Sequence, residues 1–103
     1  MKFGLKEETI QAINSIFAIH PEVEKVILYG SRAKGNYKPA SDIDLTLVGK
    51  AIDISLMNKI SWELDDLLLP YSFDLSIVHH LNDPDFLDHI NRVGTIFYSK
   101  AEA

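Results

Sequence analysis

Apolar residues recur along this chain with two different periods. From Leu5 to Ile19 they stand at Ile10, Ile13, Ile16 and Phe17, the three-and-four spacing of a helix with one buried side. Glu7 and Glu8 suit the positive end of its dipole, and His20-Pro21 stops it. Val26-Ile27-Leu28-Tyr29 is a short unbroken apolar run and predicts a strand buried on both faces. Arg32 to Gly35 predicts one helical turn, followed by a polar loop from Asn36 to Ser41. From Asp42 to Val48 the period becomes two: Ile43, Leu45 and Leu47 face one way, and Asp42, Asp44 and Thr46 the other. Ser55 to Leu69 returns to helical spacing through Leu56, Ile60, Leu64 and Leu67, with Pro70 as its stop. Phe73 to Val78 alternates again, placing Asp74 and Ser76 opposite Phe73, Leu75 and Ile77. Asp83-Pro84 reads as a cap and first residue of a helix striped by Phe86, Ile90 and Val93, with Gly94 at its end. Thr95 to Tyr98 predicts a last strand. The expected architecture is α/β (α+β): helices packed against one mixed sheet, in a single domain spanning residues 1–103.

Size and composition narrow the field. A chain of 103 residues builds one core, and 47% hydrophobic with 24% charged residues is ordinary globular usage. No apolar run is long enough to cross a bilayer, and no basic-then-apolar leader opens the chain. Without cysteine there is no disulfide, thiol nucleophile or thiolate metal site, which fits a cytoplasmic setting. A formal charge of −5 argues against general nucleic-acid binding, because phosphate backbones select basic surfaces. An acidic chain can still bind a nucleotide if a divalent cation supplies the positive charge.

The candidate chemistry lies where the first strand ends and the second begins. Gly30-Ser31 offers backbone N–H groups and a hydroxyl to a phosphate, since glycine allows close approach. Asp42 and Asp44, two residues apart on one strand, point the same way, and Asp74 holds the matching face of another strand. Like charges about 7 Å apart repel by about 2 kcal/mol at an effective dielectric of about 20. Such a cluster beside a phosphate cradle calls for Mg²⁺, which prefers few carboxylates, several waters and the substrate's own phosphates. A two-metal arrangement would activate an attacking hydroxyl and stabilise a leaving pyrophosphate. Gly30 and Ser31 would then hold the terminal phosphates, with Arg32 or Lys34 adding charge. Each short motif alone recurs by chance; turn, spacing, strand pattern and a third aspartate on the same face together favour a site.

These residues resemble a known signature. Gly30-Ser31-Arg32-Ala33-Lys34-Gly35, then Ser41-Asp42-Ile43-Asp44-Leu45, is similar to the motif of the minimal nucleotidyltransferases in the DNA polymerase β superfamily. Lys34 stands where many members have arginine. The resemblance implies the polymerase β-like fold, triphosphate on Gly30, Ser31 and Arg32, two Mg²⁺ ions on Asp42, Asp44 and Asp74, and a catalytic role for all three aspartates. Asp74 would help activate the acceptor hydroxyl. Larger relatives carry an extra helical domain that presents the acceptor, and this chain reaches Ala103 without one. The resemblance therefore implies a helical HEPN-type partner, a toxin for which the chain acts as antitoxin by transferring AMP from ATP to a protein hydroxyl. The rival reading is a non-catalytic nucleotide-binding subunit that neutralises its partner by masking it. Modification of a small molecule is a third, weaker for want of a second domain to form a cleft.

Six other positions stand out. Trp62, opposite the apolar stripe and near Asn58 and Leu69, is either an interface anchor or covered by a second layer of the domain. Tyr37 could stack on a base, accept AMP itself, or be a plain loop tyrosine. Adjacent His79 and His80 on a strand would face opposite ways and share no ion. His20 and His89 have no partner visible in the sequence.

Overall fold

The computed structural model describes residues 1–100; the expected end of the domain at Ala103 lies outside them. Helix α1 runs Glu7–Ala18, strand β1 Lys25–Tyr29, helix α2 Gly30–Lys34, β2 Ile43–Val48, α3 Ile54–Asp65, β3 Phe73–Ile77, α4 Pro84–Val93 and β4 Thr95–Ser99. The sheet order is β3-β2-β1-β4. Strand β1 is antiparallel to both β2 and β4, whereas β2 and β3 are parallel. A parallel pair needs a crossover, and α3 supplies it.

The two faces of the sheet divide as the alternation requires. Val26 and Leu28 of β1, Ile43, Leu45 and Leu47 of β2, Ile77 and Phe97 join Ile10, Ile13 and Phe17 of α1 and Ile60 and Leu64 of α3 in one core. Each fully buried Leu, Ile or Phe contributes about 1.5–3 kcal/mol relative to exposure. The opposite face carries the rows Tyr29, Asp44, Asp74 and Ile27, Thr46, Ser76, cross-strand neighbours by register. Helix α4 packs over β1 on that side, with Phe86 and His89 against the Tyr29 ring.

Several boundaries differ from the periodic pattern, each for a local reason. Leu5 is buried but precedes α1, in a turn bridging Lys2 and Leu5, where Phe3 and Gly4 both have positive φ. Helix α3 is capped by Asp53, which accepts from the Leu56 N–H, and it ends at Asp65 instead of Leu69. Leu68 then turns into the left-handed region at φ +56°. Strand β3 stops at Ile77, because Val78–His80 forms a 3-10 turn. Gly94 ends α4 with φ −65°, not a left-handed turn; a Cβ there would meet the Ile90 carbonyl and the Ile27 side chain. Close packing on the Ile90 carbonyl first, and on β1 second, is what requires glycine at 94.

Candidate active site

The chain places Asp44 at the centre of the polar face. It stands opposite Tyr29 across the antiparallel pair and beside Asp74 across the parallel one. Neighbouring strands lie about 4.8 Å apart, so register alone makes these three side chains neighbours. Asp42 precedes β2 as an exposed residue, two positions from Asp44 on the same side. Gly30 begins α2 at φ +75°, and a Cβ built on it would collide with the Asp44 carboxylate. The Gly-Ser turn and the central aspartate are thus in direct contact. Ser31 follows Gly30 in the first turn of α2 and remains partly exposed.

Burial pushes the Asp44 carboxyl above its ordinary range, and Asp74 and Asp42 push it further in the same direction. Arg32 and His89 pull it partly back. Tyr29 is raised above its usual value first by burial and then by the Asp74 and Asp44 charges. The Ser76 hydroxyl lies close to the phenol and acts the other way. It falls short of hydrogen-bond geometry, however: its Oγ, like Thr46 Oγ1, is buried without a partner. An excess of negative charge on oxygen ligands is the chemistry that a hard divalent cation neutralises. Among the described residues no three His, Cys, Asp or Glu side chains form a ready metal cage. Two carboxylates paired across strands, Asp44 and Asp74, are a partial oxygen donor set of the kind Mg²⁺ completes with water and phosphate oxygens.

A family model described as polymerase beta, nucleotidyltransferase, matches residues 11–103. The chain belongs to the polymerase β nucleotidyltransferase family. Solved structures place this nucleotidyltransferase among similar folds. A chain of a toxin–antitoxin crystal structure with AMP-PNP aligns at TM-score 0.69 and 18% identity, over 93% of this chain and 75% of that one. A chain of the MntA-HepT toxin–antitoxin structure aligns at TM-score 0.65 and 14% identity, over 92% and 74%. A chain from the tri-AMPylated Shewanella oneidensis HEPN toxin in complex with MNT antitoxin gives 0.60 and 15%, over 89% and 73%. At these identities the likeness is one of fold. A comparison with curated protein sequences finds no match.

The nucleotidyltransferase fold buries Arg32, the residue expected to join Gly30 and Ser31 on the phosphates. Its side chain is only 2% exposed, and its N–H groups go to the Phe3, Pro39 and Ser41 carbonyls. Tyr37 and Tyr71 stack against the guanidinium, and Tyr37 stays exposed on the surface while doing so. Burial of the fork was not legible because a glycine-rich turn usually displays its basic residues. Tyr29 and His89 join the site although the periodic pattern gave them no role. Tyr29 was marked only by its place before Gly30, and His89 by its place next to Ile90 on the α4 stripe.

Trp62 is 71% exposed, which excludes a covering layer from the described part of the domain. With Asp53, Ser55, Leu56, Asn58 and Lys59 it lines a groove of about 640 Å³ on α3. That groove is on the side of the sheet away from Asp44. His20 is paired with Glu63 of α3, joining the end of α1 to the crossover helix. The His79 and His80 rings meet edge to face at 4.7 Å in the 3-10 turn, which overrides strand alternation, and both residues are exposed. No helix among the described residues is long and apolar enough to cross a membrane.

Proposed function

We propose that this nucleotidyltransferase moves AMP from ATP to a hydroxyl on a HEPN-type helical partner protein in the cytoplasm, and acts as the partner's antitoxin. The observation that carries the reading is the contact of Asp44 with Gly30 while Asp74 and Asp42 flank the same carboxylate. Family membership supports nucleotidyl transfer, and the similar folds with AMP-PNP and with a tri-AMPylated HEPN toxin support the nucleotide and the partner. Asp42 and Asp44 are the residues to hold Mg²⁺, with Asp74 completing the acidic set. Bound there, Mg²⁺ would supply positive charge to the triphosphate and the leaving pyrophosphate. Gly30 and the Ser31 hydroxyl receive the phosphates, the glycine by letting the backbone approach. Asp74 takes the proton from the acceptor hydroxyl as its oxygen bonds to the α-phosphorus, and the bond to pyrophosphate breaks. Binding and orientation make up most of such catalysis, so rigid placement on two paired strands suits Asp44 and Asp74.

One observation favours the second reading, neutralisation by masking. The exposed Trp62 groove lies across the sheet from the aspartates, so a partner held there is not delivered to them by that contact. The deciding experiment co-purifies the chain with its helical neighbour, adds Mg²⁺ and labelled ATP, and searches the partner for a mass increase of one AMP. Transfer that vanishes in Asp44→Asn supports the enzyme; neutralisation without modification supports masking.

A further inference from the structure

We infer that Arg32 is a positioning residue that sets Asp42 in place by clamping the carbonyl just before it, and that it makes no contact with the triphosphate. The inference rests on the reading of Asp42 and Asp44 as the metal-holding pair. Arg32 Nε and Nη2 both donate to the Ser41 carbonyl, at 3.1 and 2.9 Å. Nη2 also reaches the Pro39 carbonyl at 3.2 Å, and Nη1 the Phe3 carbonyl at 2.9 Å. The Tyr37 and Tyr71 ring centres lie 5.3 and 4.9 Å from the guanidinium carbon. Among the described residues no carboxylate comes within ion-pair distance of it. A buried cation without a counter-ion is costly unless its donors are satisfied, and here carbonyls satisfy them.

The consequence falls on Asp42. Its preceding carbonyl is held by Arg32, and the next N–H, of Ile43, donates to the Ser72 carbonyl at 2.9 Å. Tyr71, next to Ser72, packs on the same guanidinium, so the clamp joins both anchors. The loop from Asn36 to Ala40 is otherwise exposed and tied at Ser41 to Lys38, by two hydrogen bonds. Release of Arg32 would free the segment that carries Asp42 while leaving Asp44 fixed in the β2 ladder. Lysine cannot substitute, because a single ammonium cannot span three carbonyls in the plane that the fork reaches.

The test compares wild type with Arg32→Lys and Arg32→Ala in three measurements: amide hydrogen exchange without metal, Mn²⁺ affinity, and ATP affinity in EDTA. Exchange should accelerate at the hydrogen-bonded amides of Lys38, Ser41 and Ile43 and stay slow in α1 and α3. Mn²⁺ affinity should fall about 10- to 100-fold, the usual loss when an outer-shell support is removed, with ATP affinity in EDTA held within about twofold. Ethylguanidinium should restore part of the Mn²⁺ affinity of Arg32→Ala. Should ATP binding in EDTA fall as steeply as Mn²⁺ binding, Arg32 is a phosphate ligand and the inference is overturned. Full protection and full Mn²⁺ affinity in Arg32→Lys would overturn it as well. If neither variant folds, Tyr71→Leu opens one side of the clamp and keeps the charge; it should weaken Mn²⁺ binding, and an unchanged affinity counts against the clamp. A wild-type protein that binds neither Mn²⁺ nor ATP would remove the transferase reading itself, and the exchange measurement would still judge the clamp.

Discussion

Asp44 fills the space that a side chain at Gly30 would need, so the glycine that opens α2 and the central carboxylate are one packing unit. The glycine is also held at φ +75°, where a Cβ costs about 1–2 kcal/mol before any contact is counted. Gly30→Ala should therefore destabilise the fold by about 2 kcal/mol, strain and collision together. Urea unfolding of Gly30→Ala, Asp44→Gly and the double variant separates the two terms, since Asp44→Gly removes the collision and leaves the strain. Additive losses in the double variant would show that the two residues do not compete for space.

The raised Asp44 pKa makes a signed prediction for the metal-free protein. Its folded pKa lies above the ordinary 3.8, through burial first and then Asp74 and Asp42. The folded state therefore favours the protonated carboxyl, and ionised Asp44 lowers stability at neutral pH. That penalty shrinks as pH falls through the raised pKa and is gone below 3.8. Asp44→Asn should melt a few degrees higher than wild type at pH 7 without metal, with the gap closing towards pH 4. Mg²⁺ with nucleotide should raise the wild-type melting temperature by binding linkage, and Asp42→Asn with Asp44→Asn should abolish that rise. A double variant that still responds to metal excludes these carboxylates as its ligands.

What could be seen in advance follows from how local each determinant is. The period of two in β2 is set by neighbouring residues, so the shared face of Asp42, Asp44 and Thr46 was legible. Partner strands were not: the Tyr29–Asp44–Asp74 row exists only once β1, β2 and β3 take their register. Helix ends were blurred because Leu67 continues the apolar spacing beyond Asp65, and tertiary packing rather than periodicity turns the chain at Leu68. The burial of Arg32 was hidden for a deeper reason. Its partners are the backbone carbonyls of Phe3, Pro39 and Ser41, and carbonyls leave no mark in residue types.

Ser31→Ala separates a phosphate cradle from an ordinary turn. The hydroxyl is assigned to the phosphates, so its loss should weaken ATP more than adenosine, by about 1 kcal/mol for one hydrogen bond. Calorimetric titration with both ligands provides the comparison. Equal losses for the two would mean that the turn only shapes the pocket.

The partner divides the enzyme from the masking subunit, and Trp62 and Asp44 probe it independently because they lie on opposite sides of the sheet. Trp62 is 71% exposed, so Trp62→Ala should change folding stability by less than about 0.5 kcal/mol. If the groove beside it seats the helical partner, the same change should cost about 2 kcal/mol of complex stability, the size of an aromatic hot spot. Asp44→Asn removes a proposed metal ligand without touching that groove, so the complex should form normally while AMP transfer stops. Growth of cells expressing the toxic partner then reads out the mechanism. Loss of protection by Asp44→Asn, with the complex intact, makes covalent modification the active step. Full protection by Asp44→Asn, lost in Trp62→Ala, makes occlusion the mechanism and leaves the carboxylates a nucleotide-sensing role.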